Sequence, residues 1–346
     1  MRALASRFVR IVFGLIIAGI FLVLTLRHVD LHRLITSISQ IGIGSLTFAL
    51  IFLAMAYGVR IIRWWCMVRA CNESAPLSAC AWPLLVGFGL NGVLPFRIGD
   101  AVRVLGFRDK LKTPIAQLVG TLFLERLLDL TVLLCFLLVR LGSSKLSEIS
   151  APSLRLAIFA AAGGILAWVF LIIWSAPLES VLLRICRQNV LVARGWSDKA
   201  TQLVTLFFSS ISTLRHPARV VQLFALSFLI WGCEGAIFST VTNGIVHHGA
   251  GLAPWFALAT GTLATLIPGP PGYIGTFEFF TVAGLMSYGV SRAQGAAIAL
   301  VVHAILWLPP TVVGVCYLLV WKLTKGKTGF LPTSVGLRPI DGPDAG

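Results

Sequence analysis

Apolar residues in this chain run in long blocks rather than in narrow amphipathic stripes. Residues 11–26, 41–61, 115–139, 154–174, 220–241 and 293–321 each approach or exceed the ~20 residues that cross a bilayer, with few charges inside. Two further apolar stretches are interrupted. Residues 75–96 hold Pro76, Pro83, Gly87, Gly89, Asn91, Gly92 and Pro95, and residues 253–290 are broken by the sequence Pro268-Gly-Pro-Pro-Gly-Tyr-Ile-Gly-Thr-Phe-Glu278. Proline removes a backbone donor and glycine admits conformations that a helix excludes. In hydrocarbon, broken backbone survives only where it is buried in protein or lines a cavity. The pattern predicts an all-α polytopic membrane protein with about six full spans plus two re-entrant or broken helical hairpins.

Charge placement orients these blocks. Arg2, Arg7 and Arg10 precede the first, and Lys322, Lys325 and Lys327 follow the last, so the positive-inside rule puts both termini in the cytoplasm. Arg60, Arg63, Trp64, Trp65 and Arg69 read as the cytoplasmic interface end of the second span. A full crossing by residues 75–96 would place Arg97, Arg103, Arg108, Lys110 and Lys112 outside, and a hairpin returning to the cytoplasm resolves that conflict. Residues 253–290 satisfy the rule either as two short spans or as a second hairpin. Residues 176–219, with six basic residues against Glu179 and Asp198, read as amphipathic helices on the cytoplasmic membrane surface. The expected organisation is a membrane domain over residues 1–325 and a disordered cytoplasmic tail over residues 326–346, rich in Gly, Pro and Asp.

Composition agrees with the pattern. The chain is 57% hydrophobic and 12% charged, about half the charge of a soluble domain. Its net charge of +15 sits in short loops beside apolar blocks, so anionic lipid headgroups rather than nucleic acid are the expected partners. The seven cysteines form no CxxC pair and read as small buried hydrophobes. Residues 87–92 match GxGxxG without a surrounding βαβ unit, and there is no Walker A lysine motif, HExxH or GxSxG. No catalytic residue, metal or cofactor is expected. Self-association into a homo-oligomer is left open.

The candidate chemistry lies in charges within or beside apolar blocks. Asn91, Arg97, Asp100 and Arg103 form the polar centre of the first broken stretch, where arginine forks suit phosphate oxygens, and Asp100 is expected to pair with Arg97 or Arg103. Glu125, Arg126 and Asp129 lie roughly 15 Å into the third span at 1.5 Å per residue. They form either a self-neutralising clamp between helices or part of a site. Glu234, Glu278 and His303 are further ionisable residues in membrane segments. A Glu278–His303 pair would couple movement to protons, but nothing in the spacing brings the two together. Pro95-Phe-Arg-Ile-Gly99 aligns with Pro271-Gly-Tyr-Ile-Gly275, and three spans separate the two hairpins, which implies entry from opposite faces and an inverted repeat.

Three blocks carry a family resemblance: Asn91-Gly-Val-Leu-Pro-Phe-Arg-Ile-Gly-Asp-Ala-Val-Arg103, Glu125-Arg-Leu-Leu-Asp129, and Pro271-Gly-Tyr-Ile-Gly-Thr-Phe-Glu278 with Gly289 and His303. In order and spacing the chain resembles the flippase-like transmembrane family typified by the membrane domain of lysylphosphatidylglycerol synthetases. The resemblance implies a multi-pass protein of the bacterial inner membrane that moves, or helps move, a lipid between leaflets. Members are associated with aminoacylated phospholipids, polyisoprenoid-linked sugars and hopanoid-type lipids. No aminoacyl-transferring domain follows the last span, so lipid aminoacylation is not expected. The residues expected to meet substrate are Asn91, Arg97, Asp100, Arg103, Glu125, Arg126, Asp129, Gly275, Glu278 and His303. The alternatives from other classes are a proton-coupled transporter of a small anion and an intramembrane lipid-modifying enzyme.

Overall fold

Helix is the only regular structure among the described residues of the computed structural model, which are 16, 18–27, 29–94, 97–143, 152–187, 194–211, 216–246, 250–266 and 270–325. The N-terminal arginines, Pro95, Pro268 and the expected tail lie outside them. In chain order the helices are α1 (residues 18–26), α2 (Leu31–Ser39), α3 (Ile43–Cys71), α4 (Leu77–Val93), α5 (Ile98–Leu105), α6 (Arg108–Leu111), α7 (Ile115–Ser143), α8 (Pro152–Arg187), α9 (Arg194–Ile211), α10 (Pro217–Ile245), α11 (Ala253–Ala264), α12 (Thr276–Met286) and α13 (Arg292–Lys325). Three stretches, Ile43–Cys71, Pro217–Ile245 and Arg292–Trp321, are long and apolar enough to cross a membrane by length and composition. The outer surface carries large apolar side chains, including Phe48, Ile51 and Met55 on α3, Leu166 and Phe170 on α8, Val221 and Leu229 on α10, and Leu319 and Val320 on α13. A belt of this kind suits lipid rather than water.

Both interrupted stretches fold back on themselves. The first leaves α4 at Leu94, passes through Arg97 with φ of 53° and returns as α5. There Asn91 Nδ2 donates to Asp100 Oδ1 at 3.0 Å, and Gly99 packs on the Gly87 carbonyl with no room for a Cβ. The second leaves α11 at Thr265, passes through a 3₁₀ turn at Pro271–Tyr273 and returns as α12. Its limbs are joined by Thr260 Oγ1, which donates to the Phe280 carbonyl at 3.0 Å.

The two halves repeat one order of parts: a long helix, a broken hairpin, and a second long helix. α3, the α4–α5 hairpin and α7 form one set; α10, the α11–α12 hairpin and α13 form the other. α3 and α10 pack antiparallel, since Gly244 meets Ser45 while Ser227 bonds to Arg63. Each closing helix crosses to the opposite hairpin. α13 packs on α4, with Trp82 stacked on Tyr317 at 4.9 Å and Gly89 against Gly314. α7 packs on α11, with Phe136 against Trp255 at 5.4 Å.

Two apolar cores result. One gathers Trp64, Met67, Leu84, Leu118, Leu124, Leu128 and Phe208, and the other Leu53, Val132, Leu133, Phe238, Leu258, Phe277 and Val302. Along α3, α7 and α10 the polar residues fall between the two, so a polar layer is sandwiched by apolar ones.

Several expectations about elements change. The polar connection at residues 27–40 contains α2, capped by Asp30, which accepts from the His32 amide at 2.9 Å. α8 runs on through Pro177 to Arg187, absorbing about the first quarter of the stretch read as surface helices. α9 packs against α7, where Ser210 Oγ donates to the Gln117 carbonyl at 2.9 Å, so it is part of the bundle. Cys80 and Cys233 are buried as expected, whereas Cys316 is exposed.

Candidate functional site

Charges inside an apolar bundle need partners, because an unpaired ion in low dielectric costs several kcal/mol. Pairs of this kind make up the polar layer. Arg103, fully buried, grips Glu125 with both terminal nitrogens, at 3.2 and 2.9 Å. Its guanidinium lies 3.7 Å from the centre of the Trp64 ring. Arg63 Nη1 donates to Asp129 Oδ1 at 2.6 Å and to Ser227 Oγ at 2.8 Å. Trp231 Nε1 donates to the same Asp129 oxygen at 3.0 Å. Arg60 Nη1 lies 2.8 Å from Glu234 Oε1, with its guanidinium 5.2 Å from the Trp231 ring.

Arg126 is shared rather than owned. Nη2 lies 3.0 Å from Glu125 Oε1 and 3.7 Å from Asp100 Oδ1, and Nη1 lies 3.9 Å from Asp129 Oδ2. Its side chain remains 30% exposed, and it opens on a cavity of about 210 Å³. Both hairpins and the long helices α3, α7, α10 and α13 contribute to the wall. Arg60, Asn91, Arg97, Arg126, Asp129 and Glu234 provide polar groups there, and Tyr57, Phe88, Trp231, Tyr273, Phe277 and Trp307 provide rings.

At this cavity the two breaks touch. Arg97 Nε donates to the Tyr273 hydroxyl at 2.9 Å, and Arg97 Nη2 to Thr265 Oγ1 at 3.1 Å. Arg97 and Tyr273 hold the same place in the weak internal repeat, and both sit in the left-handed region, at φ of 53° and 58°. Two such non-glycine residues bonded to each other mark strain held by the surrounding fold. Trp307 Nε1 donates to the Gly92 carbonyl at 2.9 Å, which answers one orphan acceptor at the end of α4.

The expected site residues therefore separate into three groups. Asn91, Arg97, Arg126, Asp129 and His303 line the cavity. Asp100, Glu125 and Arg103 stand behind that lining. Gly275 and Glu278 belong to the second break, where the Gly275 amide donates to Glu278 Oε2 at 2.6 Å, the acidic half of a capping box at the start of α12. Glu278 Oε1 also meets His303 Nδ1, so the structure brings together two groups whose spacing gave no sign of contact.

Two sequence expectations are corrected. Asp100 bonds Asn91 and approaches Arg126, not Arg97 or Arg103. Arg103 shares a helix face with Asp100, but both of its terminal nitrogens are taken by Glu125 of α7. Arg60, Arg63 and Trp64 are not an interface. They are 5%, 1% and 0% exposed, because α3 continues to Cys71. The signal for this was present: Glu234 and Asp129 needed cations, and Arg60 and Arg63 share a helix face three residues apart.

Comparison with known proteins agrees with this architecture. The family described as lysylphosphatidylglycerol synthase TM region matches residues 11–314. Glycosyltransferase AglD of Haloferax volcanii is 24% identical over 340 residues, covering 88% of this chain and 53% of that protein. The chain thus spans about half the length of the curated relative it matches.

Proposed function

The chain belongs to the family of the lysylphosphatidylglycerol synthase transmembrane region, and from that premise we propose that it carries, or helps carry, a lipid headgroup between leaflets through the cavity where the two breaks meet. The observation that carries this reading is the Arg97–Tyr273 junction. It joins both interrupted helices beside a polar cavity inside a bundle whose exterior is apolar. A headgroup in transit needs polar walls in place of water, while its chains stay in hydrocarbon.

Helix lengths support the re-entrant topology. α11 and α12 have 12 and 11 residues, roughly 18 and 16 Å at 1.5 Å per residue, about half a bilayer core. α5 is shorter still at 8 residues. With six spans around these hairpins, both termini fall in the cytoplasm of an inner-membrane protein, and the antiparallel α3 and α10 make the repeat an inverted one.

The name of the Haloferax relative raises a second reading, glycosyl transfer with a lipid partner. The cavity carboxylates give it less support, because Asp129 and Glu234 are each held by an arginine rather than free to act as a base. We read the membrane region as non-enzymatic.

Leaflet transfer is measured with protein reconstituted into vesicles carrying fluorescent phosphatidylglycerol, by quenching the outer leaflet. The wild type should expose inner-leaflet lipid, and Arg126→Gln or Glu278→Gln should abolish the transfer without unfolding the protein. A wild type no faster than empty vesicles sinks the transport reading, and wild-type rates in both variants sink the site assignment.

A further inference from the structure

Charge bookkeeping within the polar layer leaves one cation over. With the Glu278–His303 acid–base pair set apart, five arginines, Arg60, Arg63, Arg97, Arg103 and Arg126, face four carboxylates, Asp100, Glu125, Asp129 and Glu234. Of these five, Arg97 is the one without an ion pair among the described residues. Its bonds go to neutral oxygens only, on Tyr273 and Thr265. Those bonds occupy Nε and Nη2, and no protein acceptor is bonded to Nη1 among the described residues. Asn91 and Thr311 line other walls of the same cavity, but their oxygens are packed against Gly99 and Gly92, so Arg97 Nη1 is the unpartnered group left to face it.

We infer that Arg97, held beside the Thr265 and Tyr273 hydroxyls, forms a subsite for a headgroup bearing one phosphodiester charge. This rests on the cavity being the headgroup's path. A guanidinium fork matches two non-bridging phosphate oxygens. One surplus cation balances one negative charge. A diphosphate would bring further charge into a low-dielectric cavity whose wall has no free counterion for it. An aminoacylated headgroup would bring an ammonium, yet Asp129 and Glu234 are already held by Arg63 and Arg60. The subsite therefore selects against the cationic lipid for which the family is named. The contact between the breaks gives the anion a structural effect as well, since it binds the residue that ties one hairpin to the other.

Binding is measured directly on detergent-solubilised full-length protein, with no transfer assay. The probes are dioctanoyl phosphatidylglycerol, dioctanoylglycerol, dioctanoyl lysylphosphatidylglycerol, farnesyl diphosphate and inorganic phosphate. Phosphatidylglycerol should bind most tightly, and Arg97→Gln should weaken it roughly ten- to hundredfold, the size of a charge-assisted bond. The same variant should leave dioctanoylglycerol unchanged. Arg97→Lys should recover part of the loss, and Tyr273→Phe, which only frees the guanidinium to swing, should weaken binding less than Arg97→Gln does. Unchanged phosphatidylglycerol binding in Arg97→Gln overturns the subsite. So does equal or tighter binding of the lysyl lipid or of the diphosphate. Inorganic phosphate binding as tightly as the lipid makes this a soluble-anion site and overturns the lipid assignment. Selective binding without leaflet transfer leaves the subsite standing and removes the transport reading; transfer without selectivity does the reverse.

Discussion

Single arginines in this protein have opposite roles, and burial with pairing separates them. Arg103 is sealed between Glu125 and Trp64, so removing it strands a buried carboxylate. Arg103→Gln should cost about 3–5 kcal/mol, read as a large fall in the unfolding midpoint in detergent. Arg97 has neutral partners and an open side, so Arg97→Gln should cost about 1 kcal/mol in stability while acting on binding. Equal destabilisation by the two would refute this division. Sequence alone put both residues in one group, because each is an arginine beside a helix break. What separates them is Glu125, 22 residues further on, and pairing over that distance leaves no local trace. Arg60 and Arg63 are hidden in the sequence for a related reason. An arginine beside tryptophan at the end of an apolar run has the composition of a membrane interface, and only the carboxylates on α7 and α10 reveal it as a buried pair.

The breaks are the elements most legible in sequence, because proline and glycine act locally. Gly272 and Gly275 take φ of 66° and 90°, as a chain reversing direction in so few residues requires. Gly275→Ala should cost about 1–3 kcal/mol in backbone strain. It should also loosen the N-terminus of α12, which amide exchange over residues 276–286 would report as faster exchange while α5 stays protected. Uniform loosening of both hairpins would instead mean that the cap is not local to α12. Less legible was what each hairpin packs on. Gly89 lies so close to Pro310 and Gly314 of α13 that an added Cβ overlaps backbone, a small-residue contact of the kind that lets membrane helices approach. Gly89→Ala should push α4 from α13 and cost about 1–3 kcal/mol, measured by thermal unfolding. The two return limbs are also pinned alike, each by an acid–base pair to the next long helix: Arg103 to Glu125, and Glu278 to His303. The order of acid and base is reversed between them, so the sequence repeat gave no hint of the correspondence.

At the scale of the whole molecule, the question is which face each hairpin enters from. Three shared identities between the breaks are weak grounds for an inverted repeat, but the fold supplies stronger ones: the same order of parts twice, antiparallel α3 and α10, and closing helices that cross to the opposite hairpin. If the hairpins are re-entrant, the turns flanking each one lie on one side of the membrane, and the two hairpins open to opposite sides. In a background with the seven native cysteines replaced, Ser74→Cys and Lys110→Cys flank the first hairpin, and Ala250→Cys and Ser291→Cys flank the second. A membrane-impermeant maleimide should reach the first pair only in inside-out vesicles and the second pair only in intact cells. Labelling of Ser74→Cys and Lys110→Cys from opposite faces would make residues 77–105 a full crossing and destroy the inverted relation. Labelling of all four from one face would make the repeat parallel, and the Arg97–Tyr273 contact would then join two breaks entering side by side. The expected pattern instead places that contact where two half-membrane hairpins meet end to end, the one depth at which a headgroup from either leaflet can reach the same arginine.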